Sequence, residues 1–196
     1  MRELTFYYGA MGCGKTSELL KSRHGKLEDG FNVIVMKPYI DKKGGSYIVS
    51  RDERKVEASF LIKERDNIYV DISKYLVKHN LDYILVDEAQ FLTKKHVDEL
   101  SDIVDILGIS VVCYGLKTDF MGNLFEGSKR LLEIADSIVE IKRQCSCGRK
   151  KMINMRVVGG VPVFAGEQVA IDGVDAEYKA MCRRCYKNAL KETKEE

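Results

Sequence analysis

Gly9-Ala10-Met11-Gly12-Cys13-Gly14-Lys15-Thr16 fits the pattern G-x-x-x-x-G-K-[ST] at every fixed position. Each fixed residue has its own physical role. The glycines let the backbone turn tightly, so that several N–H groups converge on one anion. A helix beginning at Lys15 aims its positive end at the same point. Lys15 brings a point charge to the outer phosphates of a triphosphate, and the Thr16 hydroxyl is placed to ligate Mg²⁺. The pattern also has its proper context. The apolar run Leu4 to Tyr8 precedes it, and a helical pattern with Leu19, Leu20 and Leu27 on one side follows it as far as Glu28, where Asp29-Gly30 supplies a stop.

Working outward, Asn32-Val33-Ile34-Val35-Met36-Lys37 reads as a second strand ended by Pro38, and Tyr83-Ile84-Leu85-Val86 as a third. Residues 94–107 read as a helix, 109–114 as a fourth strand, 115–127 as a loop, 128–134 as a helix and 138–141 as a last strand. Residues 41–52 are polar, contain Gly44-Gly45, and read as a loop. Strands alternating with helices predict an α/β fold with a parallel sheet covered on both faces. The third strand runs into Asp87-Glu88, the second half of a phosphate-loop site. Asp87 at a strand end can hold Mg²⁺ directly or through water. Glu88 beside it can take a proton from an attacking hydroxyl.

Bulk composition narrows the function classes. The 196 residues are 45% apolar, enough for one α/β domain with a small appendage. A net charge of +2 gives no general bias toward nucleic acid or anionic membranes. No apolar run approaches the roughly 20 residues of a membrane span. The N-terminus lacks a long apolar stretch with a small-residue cleavage site, so a soluble cytoplasmic chain is expected.

Cys13 and Cys113 stand alone, whereas Cys145 and Cys147 form one close pair and Cys182 and Cys185 another. In a reduced compartment two such pairs point to tetrahedral zinc rather than to disulfides. Four thiolates close the coordination shell, so the metal would be structural. The pattern changes after about Lys142 to short strands, glycines and paired cysteines. This predicts a phosphate-loop domain over residues 1–142 and a zinc-binding domain over 143–196.

Five ordered motifs along nearly the whole chain resemble the zinc-containing (type II) thymidine kinases of the bacterial branch. They are the phosphate loop with Met11 inside it, Asp87-Glu88-Ala89-Gln90-Phe91, the stretch from Cys113-Tyr114-Gly115-Leu116 to Asp119-Phe120-Met121-Gly122-Asn123-Leu124-Phe125, Cys145-Ser146-Cys147-Gly148-Arg149-Lys150, and the run from Gly173 through Tyr178 to Cys182-Arg183-Arg184-Cys185-Tyr186. The resemblance implies a RecA-like sheet with a zinc-pinned C-terminal lasso closing over a nucleoside. It implies ATP-dependent phosphorylation of thymidine, and of deoxyuridine, at the 5′-hydroxyl to give dTMP in nucleoside salvage. It also implies a homotetramer and feedback inhibition by dTTP.

Carried residue by residue, the resemblance makes Glu88 the catalytic base. It adds Ala89 and Gln90 to the ATP site formed by residues 9–16, Asp87 and Glu88. Met11, Phe91, Leu116, Phe120, Phe125, Val169, Ile171 and Tyr178 become the nucleoside contacts. Met121, Lys43, Asn154 and Asp172-Gly173-Val174 depart from the usual pattern: arginine is common at the first two positions, threonine at Asn154 in other branches, and Gly-Gly in the lasso. Two other readings predict different behaviour. A phosphate-loop ATPase acting on nucleic acid would show DNA-stimulated hydrolysis, with Arg143, Arg149, Lys150 and Lys151 as its basic cluster. A degenerate regulator would bind nucleotide without turnover, and the intact Lys15, Thr16, Asp87 and Glu88 argue against it.

Overall fold

The computed structural model describes residues 2–168 and 176–195. Its centre is a six-stranded sheet built from β1 (Leu4–Tyr8), β2 (Val33–Pro38), β5 (Phe60–Ile62), β6 (Tyr83–Val86), β7 (Ser110–Gly115) and β8 (Ser137–Glu140), in the order β5-β2-β6-β7-β1-β8. Every pairing in it is parallel. Helices α1 (Lys15–Glu28), α2 (Ile68–Leu76), α3 (Lys94–Leu107) and α4 (Glu126–Ile134) flank it.

The central strands are mostly apolar because both faces are covered, with Thr5, Lys37 and Ser110 as buried polar exceptions. Leu4, Phe6, Ile34, Met36, Ile84, Val86, Val111 and Cys113 belong to a core shared with Ile68 and Ile72 of α2, Val97, Leu100 and Ile103 of α3 and Leu131 of α4. The alternate residues Val35, Leu85, Val112 and Tyr114 join Leu19 and Leu20 of α1 on the opposite face. Tyr7 stacks on Tyr114 there, ring centroids 5.0 Å apart. The two-residue period of the strands thus divides one apolar run between two cores.

Two elements differ from the sequence reading. Helix α4 begins at Glu126, inside the stretch read as loop. Gly127 is a packing residue there, since a Cβ on it would lie 2.6 Å from the carbonyl oxygens of Ala89 and Leu92. Residues 41–52 contain β3 (Tyr47–Val49), which pairs antiparallel with β4 (Lys55–Glu57). Ile48 is buried with Leu19 and Val35, so this hairpin is anchored on the α1 face. The sequence reading has no element between 53 and 82, where the structure has β4, β5 and α2. Short strands of three residues leave little periodicity to read.

After β8 the chain carries the first cysteine pair. It then builds a three-stranded antiparallel sheet from β9 (Ile153–Val158), β10 (Val161–Val163) and β11 (Ala176–Met181), followed by α5 (Arg183–Glu195). No helix among the described residues is long and apolar enough to cross a membrane.

Candidate active site

The phosphate loop joins β1 to α1. Gly12 and Gly14 hold left-handed backbone, φ 70° and 95°, which glycine adopts without Cβ strain. Gly9 is required by contact instead: a Cβ on it would lie 2.6 Å from both Cys13 Sγ and the Ile141 carbonyl oxygen. The buried Lys15 ammonium donates to the carbonyls of Gly9 at 3.2 Å and Ala10 at 3.1 Å. Arg143 donates to the carbonyl of Gly12 at 2.5 Å, and Arg51 lies against the same glycine. These groups line a cleft of about 260 Å³ that also includes Thr16, Ser17, Lys43 and Glu88. The first N–H groups of α1 have no acceptor within the helix and open toward this space.

Asp87 follows β6 and is buried. Its Oδ2 accepts the Thr16 hydroxyl at 3.1 Å, while Oδ1 is buried with no hydrogen-bond partner among the described residues. Burial pushes its carboxyl up to about 7, and the neighbouring Glu88 charge adds to the rise. An orphaned carboxylate oxygen beside a threonine hydroxyl is a donor set suited to a hard cation such as Mg²⁺.

Glu88 sits in the left-handed region, φ 49° and ψ 37°, an unfavourable conformation for a residue with a side chain. Gln90 fixes what that backbone turn aims. Its Nε2 donates to Glu88 Oε2 at 2.6 Å, and its Oε1 accepts the main-chain N–H of Leu116 at 2.9 Å. Gln90 is 2% exposed, and a Cβ on Gly115 would press on its Oε1 at 2.9 Å.

A second cleft of about 300 Å³ opens on the other side of Glu88, walled by Met11, Phe91, Leu116, Phe120, Phe125 and Tyr178, with Asp41, Lys43, Asn154 and Gln168 as polar members. Phe91 and Phe125 meet edge to face at 5.7 Å. Met11, Lys43, Glu88 and Leu116 line both clefts. The structure therefore brings together residues 9–16, 87–91, Leu116, Phe120, Phe125 and Tyr178. Ala89 is fully buried behind them. Val169 and Ile171 lie outside the described residues.

Arg156 is a member of this assembly that motif reading missed. It is 6% exposed, and its guanidinium stands 3.9 Å from the Phe120 ring centroid. It donates to the Tyr178 hydroxyl at 3.1 Å and to the carbonyl of Glu167 at 2.9 Å. Gln168, also missed, donates to Asp119 Oδ2 at 3.0 Å. The available signal was Asn154 and Arg156 two apart in the otherwise apolar strand β9, a pair of polar side chains sent to one face.

The four paired cysteines meet as their spacing predicts. Their sulfur atoms all lie within 4.8 Å of one another, with Cys147 and Cys182 at 3.4 Å and Cys145 and Cys185 at 4.0 Å. Tetrahedral Zn–S bonds of about 2.3 Å set sulfurs about 3.8 Å apart, so this cluster can hold a zinc ion. Main-chain N–H groups of Cys147 and Cys182 pull the Cys145 thiol down to about 6, while hydrogen bonding with the Cys147 and Cys182 sulfurs pushes Cys185 up to about 12, so the four thiols share their protons as one set.

A phosphate loop feeding a parallel sheet, an acidic pair ending a neighbouring strand and an apolar cleft across the acidic pair define a P-loop kinase of small molecules. The family model for thymidine kinase matches residues 2–186, and the chain belongs to the thymidine kinase family. It is 43% identical to a thymidine kinase of Aliivibrio fischeri, over 97% of this chain and 99% of the relative. It is 41% identical to one of Salmonella choleraesuis, over 98% and 94%, and 43% identical to one of Vibrio vulnificus, over 97% and 99%.

Proposed function

We propose that this kinase transfers the γ-phosphoryl group of ATP to the 5′-hydroxyl of thymidine, and of deoxyuridine, giving dTMP. The observation that carries the reading is the position of Glu88, which lines both the phosphate cleft and the apolar cleft. A nucleoside whose base lies among Phe91, Phe120, Phe125 and Leu116 would present its hydroxyl toward that carboxylate. Flat apolar walls suit a pyrimidine ring, and the few polar groups among them suit its edges.

In this reading Glu88 accepts the hydroxyl proton as oxygen attacks phosphorus in line. Gln90 holds the carboxylate in place. Lys15 exchanges its bonds to the Gly9 and Ala10 carbonyls for phosphate oxygens, which its flexible stem permits. Thr16 and Asp87 would hold Mg²⁺, which when bound neutralises charge on the phosphate chain. The main-chain N–H of Met11 is committed to Asn154 and that of Cys13 to the Ala10 carbonyl, so in this reading the amides of Gly12, Gly14 and the first turn of α1 face the phosphates.

The chain would divide at about residue 142 into a catalytic domain and a lasso domain, with zinc on the four cysteines pinning the lasso. A cytoplasmic homotetramer inhibited by dTTP completes the proposal. It is tested by a transfer assay with ATP, Mg²⁺ and a panel of nucleosides on zinc-loaded protein. Glu88→Gln should lose about 10²–10⁴-fold in turnover while still binding ATP. Failure to phosphorylate thymidine or deoxyuridine would overturn the substrate, and equal losses of turnover and ATP binding would overturn the role of Glu88.

A further inference from the structure

Two stretches of sequence converge on a groove of about 430 Å³ that, among the described residues, shares none with either catalytic cleft. Arg149, Lys150 and Met152 come from just after the first cysteine pair, and Cys182 with Arg183, Arg184, Lys187, Asn188 and Lys191 of α5 from the second. On the helix, positions 183, 187 and 191 are spaced by four, and 184 and 188 lie beside them, so they share a face. Six cationic side chains thus line one concavity in a chain whose net charge is only +2.

Among the described residues only one of the six, Lys150, makes an ion pair, with Glu140 at 2.7 Å. The other five have no carboxylate partner there, so their donors are open to an anion in the groove, and Cys182 of the cysteine cluster lies beside them. Three of them are arginines, whose planar donors match phosphoryl oxygens two at a time. Among the described residues no aromatic side chain lines the groove, so they offer no platform on which nucleic-acid bases could stack. The chemistry favours a ligand recognised through its phosphate chain alone. Met152, also in the lining, immediately precedes β9, the strand whose Asn154 holds the phosphate loop.

We propose that this groove is a second anion site, which takes a free oligophosphate: inorganic polyphosphate or the phosphate chain of a nucleotide. Its test is equilibrium binding of inorganic tripolyphosphate to zinc-loaded Lys15→Met protein, in which the phosphate loop is disabled. Binding at one site per chain that weakens as salt rises is expected. Arg183→Gln/Lys187→Glu/Lys191→Glu in the same background should weaken it about tenfold or more. Should that variant lose zinc or helix content, Lys187→Gln/Lys191→Gln takes its place, with a smaller loss in the same direction. ATP in a parallel titration separates the sources: equal affinity means that the chain alone is read, and tighter ATP means a nucleotide. The proposal is overturned if tripolyphosphate does not bind, if the charge changes leave binding intact, or if short single-stranded DNA binds the groove more tightly than tripolyphosphate does.

Discussion

The main-chain N–H of Met11 donates to Oδ1 of Asn154 at 2.7 Å, joining the phosphate loop to strand β9 across 143 positions of sequence. Met11 lines both clefts, and Asn154 lines the apolar one. The bond therefore sets the loop against the wall of the apolar cleft. Asn154→Ala leaves a partly buried N–H without its acceptor, at a cost of about 1–3 kcal/mol. Both substrates should feel it, so KM should rise for nucleoside and for ATP. Asn154→Asp keeps an acceptor at the same reach and should recover much of the loss. Steady-state kinetics with each substrate varied in turn will check this.

Gln90 is a positioning residue for Glu88. It touches the carboxylate with one end of its amide and the Leu116 N–H with the other. Gln90→Leu removes both bonds from a buried site while roughly keeping volume. The expected result is a fall in kcat of about tenfold to a hundredfold with ATP affinity little changed. A protein that merely unfolded would lose both parameters and its melting transition, so thermal melts accompany the kinetics.

His96 gives a pH dependence of stability. Thr93 caps α3 by accepting the His96 N–H at 3.2 Å, and the Thr93 N–H donates back to His96 Nδ1 at 3.4 Å. Nδ1 must be unprotonated to accept, while Nε2 is buried with no hydrogen-bond partner among the described residues. Burial lowers the imidazole pKa below its usual 6.5. The unfolded chain therefore binds a proton before the folded one does. Stability from this residue is full above pH 6.5 and is lost as pH falls from there through the lower folded value. Urea midpoints of wild type and His96→Gln should diverge least in acid and most above neutrality if the histidine cap is the better one. In either case the wild-type curve should fall more steeply below pH 6.5.

Legibility followed the kind of signal each part carries. The phosphate loop, β6 with Asp87 and Glu88, and the cysteine pairs were readable because their chemistry is local: fixed spacing is most of the geometry. The helices over 15–28 and 94–107 have the bounds expected of them, since glycine or a threonine cap marks their ends. The walls of the apolar cleft were another matter. Phe91, Phe120 and Phe125 taken alone read as core, and only the family resemblance placed them around a nucleoside. Arg156 was invisible because its partners, Phe120 and Tyr178, lie 36 positions upstream and 22 downstream.

The cysteine cluster leads to a metal-removal prediction. Purified protein should contain one zinc ion per chain, and a strong chelator should lower its melting temperature. Among the described residues the smaller sheet has three strands and one helix packed on it, so little apolar burial can replace the metal. Cys182→Ser should act like the chelator. Nucleoside KM should rise before ATP binding is lost, because Tyr178 lies on β11, the strand that ends beside Cys182.

Arg156 offers the sharpest separation of the two substrates. It is a buried cation held by an aromatic face, a phenol and a carbonyl, with no carboxylate paired to it among the described residues. Through Phe120 and Tyr178 it braces two walls of the apolar cleft and none of the phosphate loop. Arg156→Lys keeps the charge but cannot stack its planar head on Phe120 while reaching both oxygens. Losing the stacking and one hydrogen bond amounts to about 1–2 kcal/mol. Nucleoside KM should therefore rise about tenfold, with ATP KM close to wild type. If the two KM values rose together, Arg156 would be holding the whole fold rather than the pocket wall.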